Sequence, residues 1–216
     1  MKLTLASAKA IRHACMKFHY AKCVPSVQYG FNVYNDAGEW CGVICYGSGA
    51  TVNIAKPFDM VQGEVLELVR VALNGKQKTT SECVAASLRE LHRINPVCKL
   101  VVSYADCDQD HAGTIYQATN WIYLGKMNEN QRGAFMIHGK KTHPRSVGAM
   151  GGVQSLEWVK THLDPDATEF RTKGKHKYIF VFDKRLRRKY QKQSLPYPKK
   201  EVKPDDCNNN TVATDN

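Results

Sequence analysis

The sequence predicts an α+β fold, a sheet flanked by helices. Two observations carry this. Val27–Tyr34 and Glu39–Tyr46 read as strands around the turn Asn35-Asp-Ala-Gly38, an antiparallel hairpin. Two further apolar runs, Glu64–Leu73 and Leu100–Asp106, are separated by the amphipathic stretch Thr79–Ile94, which reads as strand, helix, strand.

The remaining elements follow in order. Ser7 can cap a helix to about His19 that gathers Ile11, Ala14, Cys15 and Phe18 on one face. Thr79, Thr80 or Ser81 can cap the second helix, and Asn95-Pro96 stops it. A short helix is expected from about Ala112 to Thr119, with Tyr116 and Asn120 at i, i+4 and so facing the same way. Strands are expected at Trp121–Leu124, Ala134–His138 and Tyr178–Phe182, and a helix at Ser155–Leu163. Lys184–Gln193 reads as a basic helix or extended segment. From about Ser194 the Pro-, Lys-, Asn- and Asp-rich composition predicts disorder. The expected organisation is one domain over 1–193, its segment 171–193 basic, and a polar tail over 194–216.

Composition narrows the function. The 216 residues are 43% hydrophobic, enough for one core. No apolar run approaches the ~20 residues of a membrane span, and no secretory signal is evident, so a cytoplasmic location without a membrane partner is expected. The eight cysteines form no Cys-x-x-Cys pair and read as reduced thiols. The net charge of +11 is concentrated: residues 171–203 hold 13 Lys+Arg against Asp183 and Glu201, and the rest of the chain is neutral. That asymmetry favours a polyanion. Lys184, Arg185, Arg187, Arg188 and Lys189 are the expected phosphate contacts.

The chemistry-bearing residues gather around Leu100–Asp106. Ser103, Tyr104 and Asp106 stand at the strand's C-terminal end, where α/β sheets place ligands, and His111, Tyr116, Asn120 and Trp121 follow. The plainer account makes the aromatics core residues and Asp106 a helix cap. Arg70, between Val69 and Val71, is a cation in an apolar strand and needs an anion: a donor phosphate or carboxylate, or Glu64 or Glu67 from the fold itself. His19, Asp106 and His111 are the ligand types of a two-His, one-carboxylate ferrous (Fe2+) site. His138 and His143, five apart, read as solvated.

The element order resembles the N-acetyltransferase (GNAT-like) arrangement, a mixed, mostly antiparallel sheet flanked by helices, whose central strands splay around a donor. A more specific likeness lies in the ordered motifs Phe18-His-Tyr20, Gly47-Ser-Gly-Ala-Thr-Val-Asn53, Gln62-Gly-Glu64, Glu67-Leu-Val-Arg70 and Ser103-Tyr-Ala-Asp106. It continues through His111-Ala-Gly-Thr-Ile-Tyr-Gln-Ala-Thr-Asn-Trp121, His143-Pro-Arg145, Lys175-His-Lys-Tyr178 and Pro196-Tyr-Pro198. Over roughly residues 15–198 the chain resembles the Mom family, DNA-modification proteins of Mu-like phages and prophages. The resemblance implies conversion of adenine in double-stranded DNA to N6-carbamoylmethyladenine, protecting phage DNA from host restriction.

Such chemistry needs the base drawn out of the duplex. Tyr20, Tyr116 and Trp121 are then candidate stacking groups, and Asn120 suits an adenine edge. Asp106 would accept or orient the N6 proton, His19 would be the second acid or base, and Tyr116 could serve the leaving group. Glu64, Arg70, Ser103 and Tyr104 are counted with the donor and substrate contacts. The donor, small or carrier-bound, stays open between acyl-CoA-like and glycine-derived. Gly75-Lys-Gln-Lys-Thr-Thr-Ser81 lacks the glycines with which GNAT relatives hold coenzyme A phosphates, and acyl transfer alone would give an amide. Two competing classes are a non-catalytic DNA-binding protein, in which Asp106→Ala changes little, and an acetyltransferase of proteins or small molecules, which would bind coenzyme A.

Overall fold

The computed structural model describes residues 1–49 and 53–199. Ala50, Thr51 and Val52, within one of the resemblance motifs, and the tail from 200 onward lie outside the described residues.

Ser7 Oγ accepts from Ala10 N and opens helix α1, Ala8–Phe18, which buries Ile11, Ala14 and Cys15. The hairpin is strands β2 (Tyr29–Tyr34) and β3 (Trp40–Gly47), preceded by an edge strand that the sequence reading missed, β1 (Lys2–Leu5). Gly38 takes φ +80° in the turn, where a Cβ would strain the backbone. Strand β4 (Val65–Leu73) leads through residues 74–79 to helix α2, Thr80–Ile94, capped by Thr79. Strand β5 is Leu100–Asp106, helix α3 Thr114–Gln117 and strand β6 Ile122–Met127.

Between β6 and the last strand lies an inserted three-stranded sheet of β7 (Arg132–Ile137), β8 (Lys140–Thr142) and β9 (Thr168–Arg171), in the order β8-β7-β9. Helices α4 (Pro144–Ala149) and α5 (Leu156–His162) pack on it around Phe135, Val147, Val159 and Ala167. Strand β10 is Lys175–Val181 and helix α6 Lys184–Gln191. The main sheet runs β1-β2-β3-β4-β5-β10-β6, antiparallel except for β4–β5.

The expected α+β class with a mostly antiparallel sheet is the observed one. Helix α2 covers one face, where Val84, Leu88 and Leu91 meet Phe31, Ile44, Tyr46, Leu66 and Val101. On the other face α1 covers Val43, Cys45 and Ala72, while Tyr190 of α6 joins Val65, Leu100, Val102 and Ile179. Each buried Leu or Ile there contributes roughly 1.5–3 kcal/mol. No helix among the described residues is long and apolar enough to cross a membrane.

Residues 194–199, expected to be disordered, pack on the body instead. Leu195 N donates to Tyr123 O at 3.0 Å, Tyr197 Oη to Trp121 O at 2.5 Å, and Gln117 Nε2 to Pro198 O at 3.2 Å. The composition hid an aromatic anchor: a Pro-flanked tyrosine can dock without regular structure.

Candidate active site where two strands part

β4 and β5 pair only at Val65↔Leu100, Leu66↔Val101 and Glu67↔Val102, then separate. At the fork Ser103 Oγ bridges the gap, 3.2 Å from Leu68 O. The next two register pairs, Tyr46↔Leu68 and Cys45↔Arg70, leave Val69 as one extra residue on β4. This bulge switches the strand's faces. Before it, Leu66 and Leu68 point to the α2 core; after it, Arg70 and Ala72 join Cys45 and Val43 on the α1 face. Without the bulge, the guanidinium would enter an apolar core.

Arg70 Nη1 donates to the bulge carbonyl, Val69 O, at 2.7 Å, and Nη2 to Cys23 Sγ at 3.1 Å. Neither acceptor is a carboxylate, and Nε is buried without a hydrogen-bond partner. Such a cation is under-compensated by the fold and suited to a bound anion.

The segment after α1 crosses from Arg70 to Asp106. His19 Nδ1 accepts from Ala21 N at 3.1 Å, which leaves the ring proton on Nε2. Burial first, then Arg70, His111 and Lys22, push its pKa down to about 4, so the imidazole is neutral at pH 7. The Tyr20 ring stacks on His19 (centroids 4.4 Å) and meets His111 edge-on (5.9 Å). Tyr20 Oη donates to Asp106 Oδ2 at 3.4 Å; burial and the Asp106 charge raise the phenol to about 12.

Asp106 is both things that its position allows. Oδ1 accepts Asp108 N at 3.0 Å and caps the single 3-10 turn Cys107–Gln109, while Oδ2 faces Tyr20. His19, Tyr20, Asp106 and His111, four residues singled out from sequence, thus gather at one mouth with Arg70 on its opposite arm.

Other candidates are placed differently. Alternation along β5 turns Ser103 to the α2 face, where it lies 2.8 Å from Tyr116 Oη. Tyr116 is 7% exposed and packs on Trp121 and Tyr178 at 5.0 and 5.1 Å. Burial holds its phenol at about 12. Asp106 and Tyr116 therefore approach the fork from opposite faces of β5, and Tyr20 is electrostatically coupled to both. Tyr104 lies half-buried on the α6 face, raised to about 12 by burial.

Four expectations need correction. Helix α3 ends at Gln117 instead of Thr119, and Asn120 takes φ 58°, so Asn120 leaves the Tyr116 face. Gly113, at φ 78° under the Tyr178 ring, and the left-handed Asn120 confine this helix to one turn. Trp121 is 1% exposed, packed on Tyr116 and Phe180, and is not presented at the mouth to a substrate base. Glu64 pairs with Lys99 at the foot of β4 and plays no part at the mouth. The fourth concerns a metal: Tyr20 separates the two imidazoles, and no group of three His, Cys, Asp or Glu converges as a metal site among the described residues.

Asn120 and Trp121 instead line a cavity of about 530 Å³ with Phe180, Arg187, Gln191 and Tyr197. It lies beside the Leu100 end of β5, about 20 Å of strand from Asp106. There Arg187 Nη2 donates to Asn120 O at 2.5 Å. Lys184, Arg185 and Arg188 project into solvent, and Lys189 lies 3.9 Å from Asp59.

The turn before α2 is a poor cradle for coenzyme A phosphates. Asn74 Oδ1 accepts Lys76 N at 3.0 Å, Gln77 Oε1 accepts Gly75 N at 3.1 Å, and Thr79 Oγ1 accepts Glu82 N at 3.2 Å. Three backbone donors that a phosphate would use are already satisfied. Sequence reading missed Cys23, Asp108, the pairing of Lys175 with Asp106 and the Val69 bulge, because each acquires its role from a partner distant in the chain.

Comparison with known proteins agrees with this architecture. A spermidine N-acetyltransferase mutant from Vibrio cholerae superposes with TM-score 0.50 at 9% identity, covering 88% of this chain and 99% of that one. A Bacillus subtilis acetyltransferase in complex with CoA gives 0.46 at 8%, covering 84% and 99%. The fold is that of the GNAT acetyltransferases. No match is found among curated proteins. The model of the Mom protein family matches residues 2–199. With nearly the whole domain inside that match, the chain belongs to the Mom protein family.

Proposed function

We propose that this protein is a transferase that modifies the N6 amine of adenine in double-stranded DNA, giving N6-carbamoylmethyladenine, and that it thereby shields phage DNA from restriction in the host cytoplasm. The observation that carries the reading is the convergence of His19, Tyr20 and Asp106 on one arm of the fork with the under-compensated Arg70 on the other. Membership of the Mom protein family supports DNA as the substrate.

Adenine N6 is a weak nucleophile, its lone pair delocalised into the ring. The base must also leave the stack, at a cost of a few kcal/mol. Asp106 Oδ2 is the group that takes or orients the N6 proton, and neutral His19 presents its Nε2 proton to the mouth as the second acid or base group, a donor in this tautomer. Tyr20, half-exposed at the mouth, offers its ring to the flipped base. Tyr116 stays protonated and can donate towards a leaving group across the fork. Arg70 would hold an anionic group of the donor. A glycine-derived donor fits the carbamoylmethyl product better than an acyl thioester, which would leave an amide. The cations of α6 supply phosphate contacts on the duplex.

The test is mass spectrometry of nucleosides from the DNA of cells expressing the protein, with Asp106→Asn as control. A heavier deoxyadenosine species that disappears in the control is expected. An unmodified deoxyadenosine pool, even with salt-sensitive DNA binding, would reject the enzyme and leave the binding protein.

A further inference from the structure

The insertion between β6 and β10 has its own small core and is fastened beside the mouth chiefly through Asp108, with Lys173 Nζ also 3.3 Å from Asp110. Asp108 Oδ1 accepts Lys173 N at 2.7 Å; Oδ2 accepts Thr172 Oγ1 at 3.0 Å and Lys141 Nζ at 3.2 Å. This side chain is only 8% exposed, and its own N–H is held by Asp106 Oδ1. An unbroken chain of hydrogen bonds therefore runs from Asp106 through Asp108 to β8 and to the link between β9 and β10.

The fastening sets a basic edge next to Asp106. Lys175 is the cross-strand partner of Asp106 in β10, and side chains so paired share a face of the sheet. His143, the N-cap of α4, lies within electrostatic reach of both Arg145 and Lys175. His143, Arg145 and Lys175 are exposed. Helix α6 begins just past Val181, at the other end of β10, and packs on that same face. Six residue steps of strand separate Lys175 from Val181, about 20 Å, close to six base-pair steps of duplex at about 3.4 Å each. Basic residues thus stand at both ends of this strand, Lys175 at one and the start of α6 at the other.

We propose that the 128–172 insertion is a duplex-binding flap, latched by Asp108, whose Arg145 forms with Lys175 of β10 an edge that holds backbone phosphates beside the target base while α6 holds them further along. The proposal rests on the reading of DNA as substrate, and Asp108 is a positioning residue in it.

The full-length protein is titrated onto a fluorescent 20-base-pair duplex across a range of salt. The double variant Arg145→Gln/Lys175→Gln is expected to weaken binding at least tenfold at 150 mM salt. The slope of log K against log salt should fall by about 2, near 0.9 for each lost phosphate contact. Asp108→Asn and, from the other side of the latch, Lys141→Met should flatten the slope too, with proteolysis more rapid within 128–172 alone. A wild-type slope in the double variant overturns the flap; a wild-type slope in both folded latch variants overturns the latch. Equal displacement by double-stranded RNA or polyglutamate overturns the assignment to DNA. All of these are binding measurements, so an unmodified nucleoside pool would sink the proposed chemistry without deciding this surface.

Discussion

Tyr20 Oη lies 3.4 Å from Asp106 Oδ2, closing a contact between residues 86 apart in sequence. It joins the end of α1 to the end of β5 and shuts one side of the fork. The Tyr20 phenol is raised to about 12, so the tyrosine is the donor of the pair and Asp106 the acceptor.

Asp106→Asn should separate chemistry from architecture. The amide keeps an oxygen for Asp108 N, so thermal stability should stay within about 1 kcal/mol of wild type. Loss of the base should lower modified-adenine yield by about 10²–10⁴. Nucleoside mass spectrometry and a melting curve read the two separately.

Arg70→Met probes the under-compensated cation. Its hydrogen bonds go to Val69 O and Cys23 Sγ, and Nε has no partner, so little folding energy depends on the charge. Stability is expected to be unchanged or slightly higher. Modification should fall at least tenfold, about 1.4 kcal/mol in transition-state terms, with most of the loss appearing as a raised KM for the donor.

The pH dependence follows from His19. Its pKa is pushed down to about 4, so the acid limb of the rate profile should lie near pH 4 instead of 6.5. Between these values the unfolded chain binds the extra proton. The group's contribution to stability is therefore full above pH 6.5 and is lost as pH falls through about 4. Arg70→Gln removes a neighbouring positive charge and should move the imidazole titration upward by NMR.

Tyr116→Phe removes one buried hydrogen bond to Ser103, costing about 1 kcal/mol by denaturant titration. A role as proton donor predicts a further, larger loss in product formation. Glu64→Gln, by contrast, breaks only the pair with Lys99 and should leave product formation unchanged, with less than about 1 kcal/mol of stability lost.

The sequence by itself determined the elements whose periodicity is local: the α1 and α2 caps, the hairpin turn, and the strands β4 and β5 with a crossover helix between them. It also named the mouth residues His19, Tyr20, Arg70, Asp106 and His111, because polar groups at strand ends and a cation in an apolar strand stand out without coordinates. Only the tertiary structure decided how they are used. Helix α3 stops early because Gly113 and Asn120 adopt left-handed backbone, so Asn120 never shares a face with Tyr116. Arg70 faces the mouth because one residue too many on β4 turns the strand over, a register fact invisible to composition. Asp108 acquires its weight only when residues 33 to 65 positions away converge on it. Patterns of side-chain type repeat along a chain and can be read there, whereas register and long-range pairing are set by which surfaces meet, and only the folded packing specifies that.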